Sequence, residues 1–265
     1  MDCFAEHPWG VFLFKIKIMG QFIDRTGEVY SFSDGQTMEI IEYFNAKNIT
    51  IKFNDGTIMK NVKYYRFTDG LIKNSNHPFV HGVGYIGYGE YHSEEIKKSS
   101  VIYYKWNGML SRCYNENYLI KKPTYVGCSV HPDWHNFQVF AKWFEENYIE
   151  DFELDKDILF KGNKVYSAET CCFVPREINT LLTHNKKTNR EFPIGVYKHK
   201  NRFRVYMNTS GKLNLVGYFH TVDDAFLAYK KAKEQNIKNV ANKFKGKITP
   251  ECYLALMNWT ININD

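Results

Sequence analysis

Apolar and polar residues alternate through residues 193–246, and this pattern organises our interpretation of the whole chain. In the middle run every second residue is apolar, namely Phe203, Val205 and Met207. A period of two places the apolar set on one face of a β-strand and the polar set on the other. After the turn residues Thr209-Ser210-Gly211, Leu213 and Leu215 continue the alternation. The pattern predicts an antiparallel sheet of three short strands, with both leucines on its apolar face.

The period then changes to that of a helix. Thr221 is followed three residues later by Asp224, the spacing of a capping box at a helix start. One helix face then carries Ala225, Ala228, Tyr229 and Ala232. Because this apolar face needs a partner, we expect the helix to pack on the apolar side of the sheet. The other side of the sheet is then exposed, and it carries Lys198, Lys200, Arg202, Arg204, Tyr206, Asn208, Lys212 and Asn214.

The N-terminal part has the pattern of a small β-rich unit. Its runs with strand character are residues 28–30, 38–43, 49–53 and 58–67. Asn54-Asp55-Gly56 lies between two of these runs and is a strong hairpin signal. Charges of both signs are mixed here, so any contact with a polyanion by this unit would be auxiliary, and a partner-binding or purely structural role is equally open.

Two helices are predicted in the middle of the chain, after a glycine-rich stretch at residues 77–89 that lacks the spacing of a phosphate-binding loop. The first covers residues 103–114 and the second residues 133–147. Apolar residues recur at helical spacing in both. We expect them to form a core, and they are Trp106, Met109, Leu110 and Cys113, then Trp134, Phe137, Phe140, Ala141 and Phe144.

The 265 residues carry a formal net charge of only +6, but the charge is unevenly distributed. Residues 183–247 contain 15 lysines and arginines against 4 acidic residues. The rest of the chain is therefore slightly acidic. A chain of this length suggests two or three small domains. The concentration of basic charge in the predicted sheet and helix indicates a polyanionic partner for that part.

Six cysteines occur without a C-x-x-C pair, which favours reduced thiols. Cys113, Cys128 and Cys171 or Cys172 are candidates for a zinc site, but burial as small apolar residues is commoner, so we do not expect structural zinc. No apolar run is long enough to cross a membrane. Residues 11–19 are apolar but short, and we interpret them as an edge strand or a leader rather than an export signal.

The basic sheet suits the major groove of DNA, which admits a narrow β-ribbon. Moreover, GVYKHKNRFRVYM followed by LVGYFHTVDDAFLAYKKA resembles the Apetala-type (ethylene-response-factor) DNA-binding domain of three strands and a helix. The resemblance implies that the sheet lies in the major groove of duplex DNA. By position, the residues facing DNA would be Tyr197, His199, Arg202, Arg204, Tyr206 and Asn208. We add Lys198, Lys200, Lys212 and Asn214 as further contacts. The tryptophans that read the groove in that family are absent.

Residues 152–182 predict a strand through 154–159, a loop at Gly162-Asn163, a strand at 171–174 and a helix opening at Pro175. This order resembles the ββα-metal finger of HNH endonucleases. The resemblance implies one Mg²⁺ ion, or Mn²⁺ in its place, held by oxygen ligands. Asp155 takes the position of the first-strand ligand and Asn179 that of the helix ligand. Asn163 falls at the catalytic loop asparagine.

The general base of this finger would be a histidine where Lys156 stands. A lysine with an ordinary pKa of about 10.4 is protonated at neutral pH and cannot accept a proton. Asp155 and Asp157 on either side favour the charged form further. We therefore expect Lys156 to act as a cation near the reacting phosphate. Asp157, or His131 or His135 from the preceding region, would replace it as base.

The order of motifs from W-x-x-M-L-x-R-C-Y through LDKDIL and CCFVP-x-x-I-N to the basic segment resembles phage-encoded HNH-type proteins that end in an Apetala-type domain. It implies a homing-type endonuclease that hydrolyses duplex DNA in the cytoplasm of a bacterial or phage-infected cell. One alternative is a DNA-binding regulator or decoy with an inactive nuclease core. A third hypothesis is a protein-interaction module whose basic face binds an acidic partner.

The predicted fold class is α+β, in five segments. These are a β-rich unit at 1–76, a glycine-rich junction at 77–102, an HNH-like ββα-metal domain at 103–185, the Apetala-type sheet and helix at 191–247, and a C-terminal helix at 248–265.

Overall fold

A computed structural model describes residues 23–91, 100–182, 191–209 and 211–265. The strand or leader predicted at residues 11–19 lies outside these ranges. The chain divides into two compact units, Met1–Asn74 and Ser75–Asp265. The first unit is β-rich and the second contains both helices and strands, so the chain is an α+β protein as expected. In the described ranges, no helix combines the length and apolar character needed to span a bilayer.

The first unit is a four-stranded antiparallel meander followed by a short helix. Its elements are β1 Val29–Ser31, β2 Thr37–Asn45, β3 Asn48–Phe53, β4 Ile58–Val62 and α1 Tyr64–Thr68. The β-rich prediction is confirmed, but the last strand is shorter than predicted. It ends at Val62, and the chain turns into α1 from Tyr64. Phe67, predicted in the strand, is buried from α1 instead.

In the second unit, helices α2 Val101–Tyr114, α3 Glu116–Lys121 and α4 Phe137–Asn147 come first. All the predicted core positions of α2 and α4 are buried in one cluster. The helix predicted from residue 133 begins later, because Pro132–His135 forms a 3-10 turn. Asn136 then caps α4, its side-chain oxygen accepting a hydrogen bond from the backbone N–H of Gln138 at 3.0 Å.

Two small pairs of strands follow. Their bounds are β5 Ser129–Val130, β6 Phe152–Asp155, β7 Val165–Tyr166 and β8 Cys172–Pro175, and α5 Arg176–Leu182 comes next. β5 pairs with β7 in parallel and β6 with β8 antiparallel. The order β6–β8–α5 matches the predicted strand–strand–helix order, and we call these elements the finger. Pro175 is the last residue of β8, so α5 begins one residue later than predicted.

The C-terminal segment contains the predicted three-stranded antiparallel sheet and its helix. The elements are β9 Val196–His199, β10 Arg202–Thr209, β11 Lys212–Phe219, α6 Val222–Lys243 and α7 Pro250–Met257. The strand order is β11-β10-β9. Thr221 caps α6 as expected, because its hydroxyl accepts from the backbone N–H of Asp224 at 3.1 Å and donates to the Asp224 carboxylate at 2.8 Å.

One hydrophobic core joins the finger to the C-terminal segment. Its buried residues are Ile158, Cys172, Val174 and Ile178 from the finger region, Val196 and Val205 from the sheet, and Ala225, Phe226, Tyr229, Ile237, Ala241, Ile248, Cys252, Leu256 and Ile261 beyond it. Among the described residues, β8 and α5 of the predicted middle domain thus share a core with the predicted C-terminal sheet and helix.

Candidate nucleic-acid interface

The pairing of the strands defines the two faces of the sheet. Residues opposite each other in an antiparallel pair project to the same face. Arg204 lies opposite Tyr197 on one side and Tyr218 on the other. Val205, which is fully buried, projects to the other face and packs in the core with α6. We call the solvent-facing side the outer face, and it carries Tyr197, His199, Arg202, Arg204, Tyr206, Asn208, Leu213, Leu215 and Tyr218.

A β-bulge at Val216 changes which residues of β11 reach the outer face. Val205 pairs with Gly217, but the next residue of β10, Tyr206, pairs with Leu215. The extra residue reverses the alternation on the far side of the bulge. The prediction that Leu213 and Leu215 line the apolar face is therefore wrong. Both lie on the outer face, where they are 63% and 48% exposed.

The same pairing corrects the placement of three polar residues. Lys212 and Asn214 lie opposite Thr209 and Met207, on the side that faces the helix. Lys198 lies opposite Phe203, also on that side. All three are exposed at the margins of the sheet, but they do not project from the outer face as predicted. Lys200 lies in the tight turn between β9 and β10, with φ 53°.

Arg204 and the aromatic rings of the outer face pack against one another. The guanidinium carbon of Arg204 lies 5.5 Å from the centre of the Tyr206 ring. Tyr206 in turn meets Tyr197 edge to face at 6.1 Å, and His199 contacts Tyr218 at 5.5 Å. The buried Nε of Arg204 has no hydrogen-bond partner among the described residues. Because β9, β10 and β11 contain no acidic residue, nothing within the sheet neutralises its arginines.

The predicted metal ligands of the finger are engaged in local hydrogen bonds. Asp155 Oδ1 accepts from the backbone N–H groups of Asp157 and Ile158, both at 2.9 Å. This turn ends β6 at Asp155, four residues before the predicted strand end. Burial, and then the Asp157 carboxylate, raises the pKa of Asp155 to about 7. Asn179 donates to Glu153 across the finger.

Lys156 and Asn163 close the loop between β6 and β7. The Lys156 ammonium donates to Asp157 Oδ2 and to the backbone carbonyl of Asn163, both at 3.1 Å. Asn163 Nδ2 donates to the carbonyls of Lys156 and Val165, both at 2.7 Å, and its Oδ1 accepts from Val165 N–H at 3.2 Å. Burial lowers the pKa of Lys156, but the Asp157 carboxylate together with Cys128 and Asp155 raises it, and the net direction is upward. This direction favours the charged ammonium, a form that does not accept a proton.

The polar groups around the predicted metal position are hydrogen-bonded within the chain. The Asn163 amide forms three hydrogen bonds in its own loop, and the Lys156 ammonium pairs with Asp157. Across the described ranges, no group of three His, Cys, Asp or Glu residues is arranged to hold a metal. The two histidines proposed as alternative bases have hydrogen-bond partners outside the finger. His131 Nδ1 accepts from Asp133 N–H at 3.3 Å, and His135 Nε2 lies 3.3 Å from the Tyr114 hydroxyl. The five described cysteines are buried free thiols.

Sequence reasoning missed three residues of the outer face, Leu213, Leu215 and Tyr218. One signal for them was present, because Gly217 interrupts the alternating run and glycine inside a strand often marks a bulge. No known protein family, curated protein or solved structure matches the chain.

Proposed function

We propose that this protein binds duplex DNA with a preference for particular sites, through the outer face of the β9–β11 sheet. The observation that carries the proposal is the placement of Arg202 and Arg204 on the central strand of an exposed face without acidic residues. The major groove admits a β-ribbon, and arginine bonded to guanine is the commonest specific contact there.

The side chains of the outer face differ in how firmly they are held. Arg204 is half-buried and packed against Tyr206, so its orientation is set before any ligand arrives. Arg202 is exposed at the start of β10. A pre-oriented guanidinium loses less freedom on forming two hydrogen bonds to one base edge. Arg204 is therefore the better candidate for base recognition, and Arg202 for a contact with base or phosphate.

The surrounding charge supports attachment to the DNA backbone. Lys198, Lys200 and Lys212 are exposed at the margins and turns of the sheet, outside the outer face itself. Cations in that position neutralise phosphates, fix the register of the protein on the duplex and carry little sequence information. The arginines would therefore recognise bases, and the marginal lysines would hold the DNA backbone.

The test uses the full chain and a library of randomised duplexes, from which bound DNA is selected and sequenced. Enrichment of a common site is the expected result. Arg204→Ala should then cost about 1–3 kcal/mol on that site and relax the preference at one base position. Lys231→Ala is the matched control, because Lys231 is exposed on α6, away from the sheet. The proposal would be rejected if no common site were enriched, or if Arg204→Ala and Lys231→Ala lost equal DNA affinity.

Metal-dependent cleavage by an HNH-type finger is the second candidate function. The observation that favours it is the β6–β8–α5 order with Asp155 at the end of the first strand. The test is incubation of supercoiled plasmid with Mg²⁺, Mn²⁺ or a chelator. Metal-dependent nicking that is lost in Asp155→Ala would establish an endonuclease. Intact plasmid, together with retained binding to duplex DNA, would assign the role of a regulator or decoy.

A further inference from the structure

We propose that Leu213 and Leu215 recognise thymine, by packing against its 5-methyl group in the major groove. The proposal rests on duplex binding by the outer face. It adds a specificity that the arginines cannot supply, since guanidinium groups favour guanine. The two leucines form what we call the leucine edge, on β11 beside the polar row of β10.

The bulge at Val216 gives the leucine edge its position. Leu215 lies opposite Tyr206, and Leu213 lies opposite Asn208. Neighbouring strands are about 4.8 Å apart, and alternate residues along a strand are about 6.8 Å apart. A base step in DNA covers about 3.4 Å of the duplex. By these spacings Leu215 lies about two base steps from Arg204 and Leu213 about four, so the leucines would meet bases next to those that Arg204 can reach.

At the end of the outer face that carries Leu213 and Asn208, thymine is the base that the side chains can best distinguish. Among the four bases, only thymine presents a methyl group in the major groove. Asn208, the polar neighbour of Leu213, would need both its oxygen and its nitrogen to recognise adenine. Its oxygen already accepts the backbone N–H of Gly211 at 3.0 Å, which closes the turn. The apolar contacts of the leucines are therefore the main discriminating feature at this end.

DNA is a better match for the leucine edge than an apolar protein surface. A standard protein interface needs about 800 Å² from each partner. Two leucine side chains bordered by Tyr206, Asn208 and the cations at the sheet margin are far from that area of apolar surface. A methyl-bearing polyanion complements both parts of the surface, the apolar leucine edge and the lysines at the sheet margin.

The experiment uses the full chain and the duplex site selected for it. Each thymidine of the site is replaced in turn by deoxyuridine, which lacks only the 5-methyl group. Affinity is measured by fluorescence anisotropy at fixed salt. Losing one buried methyl contact should weaken binding by about fourfold at one or two positions. Leu213→Asn and Leu215→Asn should bind the thymidine and deoxyuridine duplexes equally at those positions.

Leu227→Asn is the matched control, because Leu227 is exposed to a similar extent, 59%, but lies on α6. It should keep the full discrimination of the unchanged protein. Equal affinity for thymidine and deoxyuridine at every position would overturn the role of the leucine edge while leaving duplex binding intact. Discrimination that survives in both leucine variants would also overturn it. Failure to bind any duplex would reject the proposed function itself.

Discussion

The thiols of Cys172 and Cys252 lie 3.7 Å apart, although 80 residues separate them along the chain. Cys172 belongs to β8 of the finger and Cys252 to α7, and both are buried. The contact joins two segments that sequence reasoning assigned to different domains. The contact belongs to the hydrophobic core that the two segments share.

Ile178→Ala and Ile237→Ala should destabilise the same unfolding transition. The two isoleucines are almost completely buried in the shared core, one on α5 and one on α6. Each truncation leaves a cavity and should lower the free energy of unfolding by about 2–5 kcal/mol. Urea titration followed by tryptophan fluorescence measures this, with Leu227→Ala as an exposed control. Separate transitions for the two variants would show that the finger and the sheet fold independently.

Gly195→Ala should disrupt the packing of the sheet on α6. Gly195 has φ 79°, and a Cβ atom there would lie 2.1 Å from Cδ2 of Tyr229. Left-handed strain and overpacking together should cost about 2–5 kcal/mol of the free energy of unfolding. Gly211→Ala separates the two causes, because Gly211 has φ 81° but open space around it. Equal losses in the urea midpoints of both variants would mean that Tyr229 moves aside freely.

Lys156→Met should loosen the loop between β6 and β7. The substitution leaves the Asn163 carbonyl and the Asp157 carboxylate without their shared cation. We expect a loss of about 1–3 kcal/mol in the free energy of unfolding, with DNA affinity unchanged. Lys142→Met, at an exposed lysine of α4, should be nearly neutral. Lower DNA affinity at unchanged stability would instead place Lys156 against a phosphate.

Arg204→Lys should weaken site preference without changing the salt dependence of DNA binding. Lysine keeps the positive charge but cannot form the paired hydrogen bonds of a guanidinium. The selected duplex should lose about 1–3 kcal/mol, while a scrambled duplex of the same length should lose far less. Affinity measured over a range of salt concentrations gives both quantities. A change in the salt slope with equal losses on the two duplexes would assign Arg204 to the backbone.

Local periodicity was enough to predict the sheet and its helix. Phe203 and Val205 on β10, and the Thr221 cap of α6, follow from rules that act over a few residues. Leu213 and Leu215 were placed on the wrong face because alternation assumes one residue opposite each residue of the partner strand. The bulge breaks that assumption, and it is a property of the pairing between strands.

The finger shows the same limit for the candidate site. The HNH resemblance predicted Asp155 as a metal ligand in the first strand and Asn163 as the catalytic asparagine of the loop. Their hydrogen-bond partners depend on how the loop closes, and Lys156 closes it from inside. A resemblance in the order of elements does not specify this closure. The sequence therefore predicted which polar residues lie in the finger. Their hydrogen-bond partners could be identified only from the three-dimensional structure.

The common core of the sheet and the finger also has a geometric consequence. A DNA-binding domain on a flexible linker allows a second, tethered site to reach many points along a duplex. Here the outer face and the finger share one core, so the finger would meet DNA at a constant distance from the bound site. Any strand break made by this protein should then map to one sharp position, and lengthening the 183–190 connection should not move it.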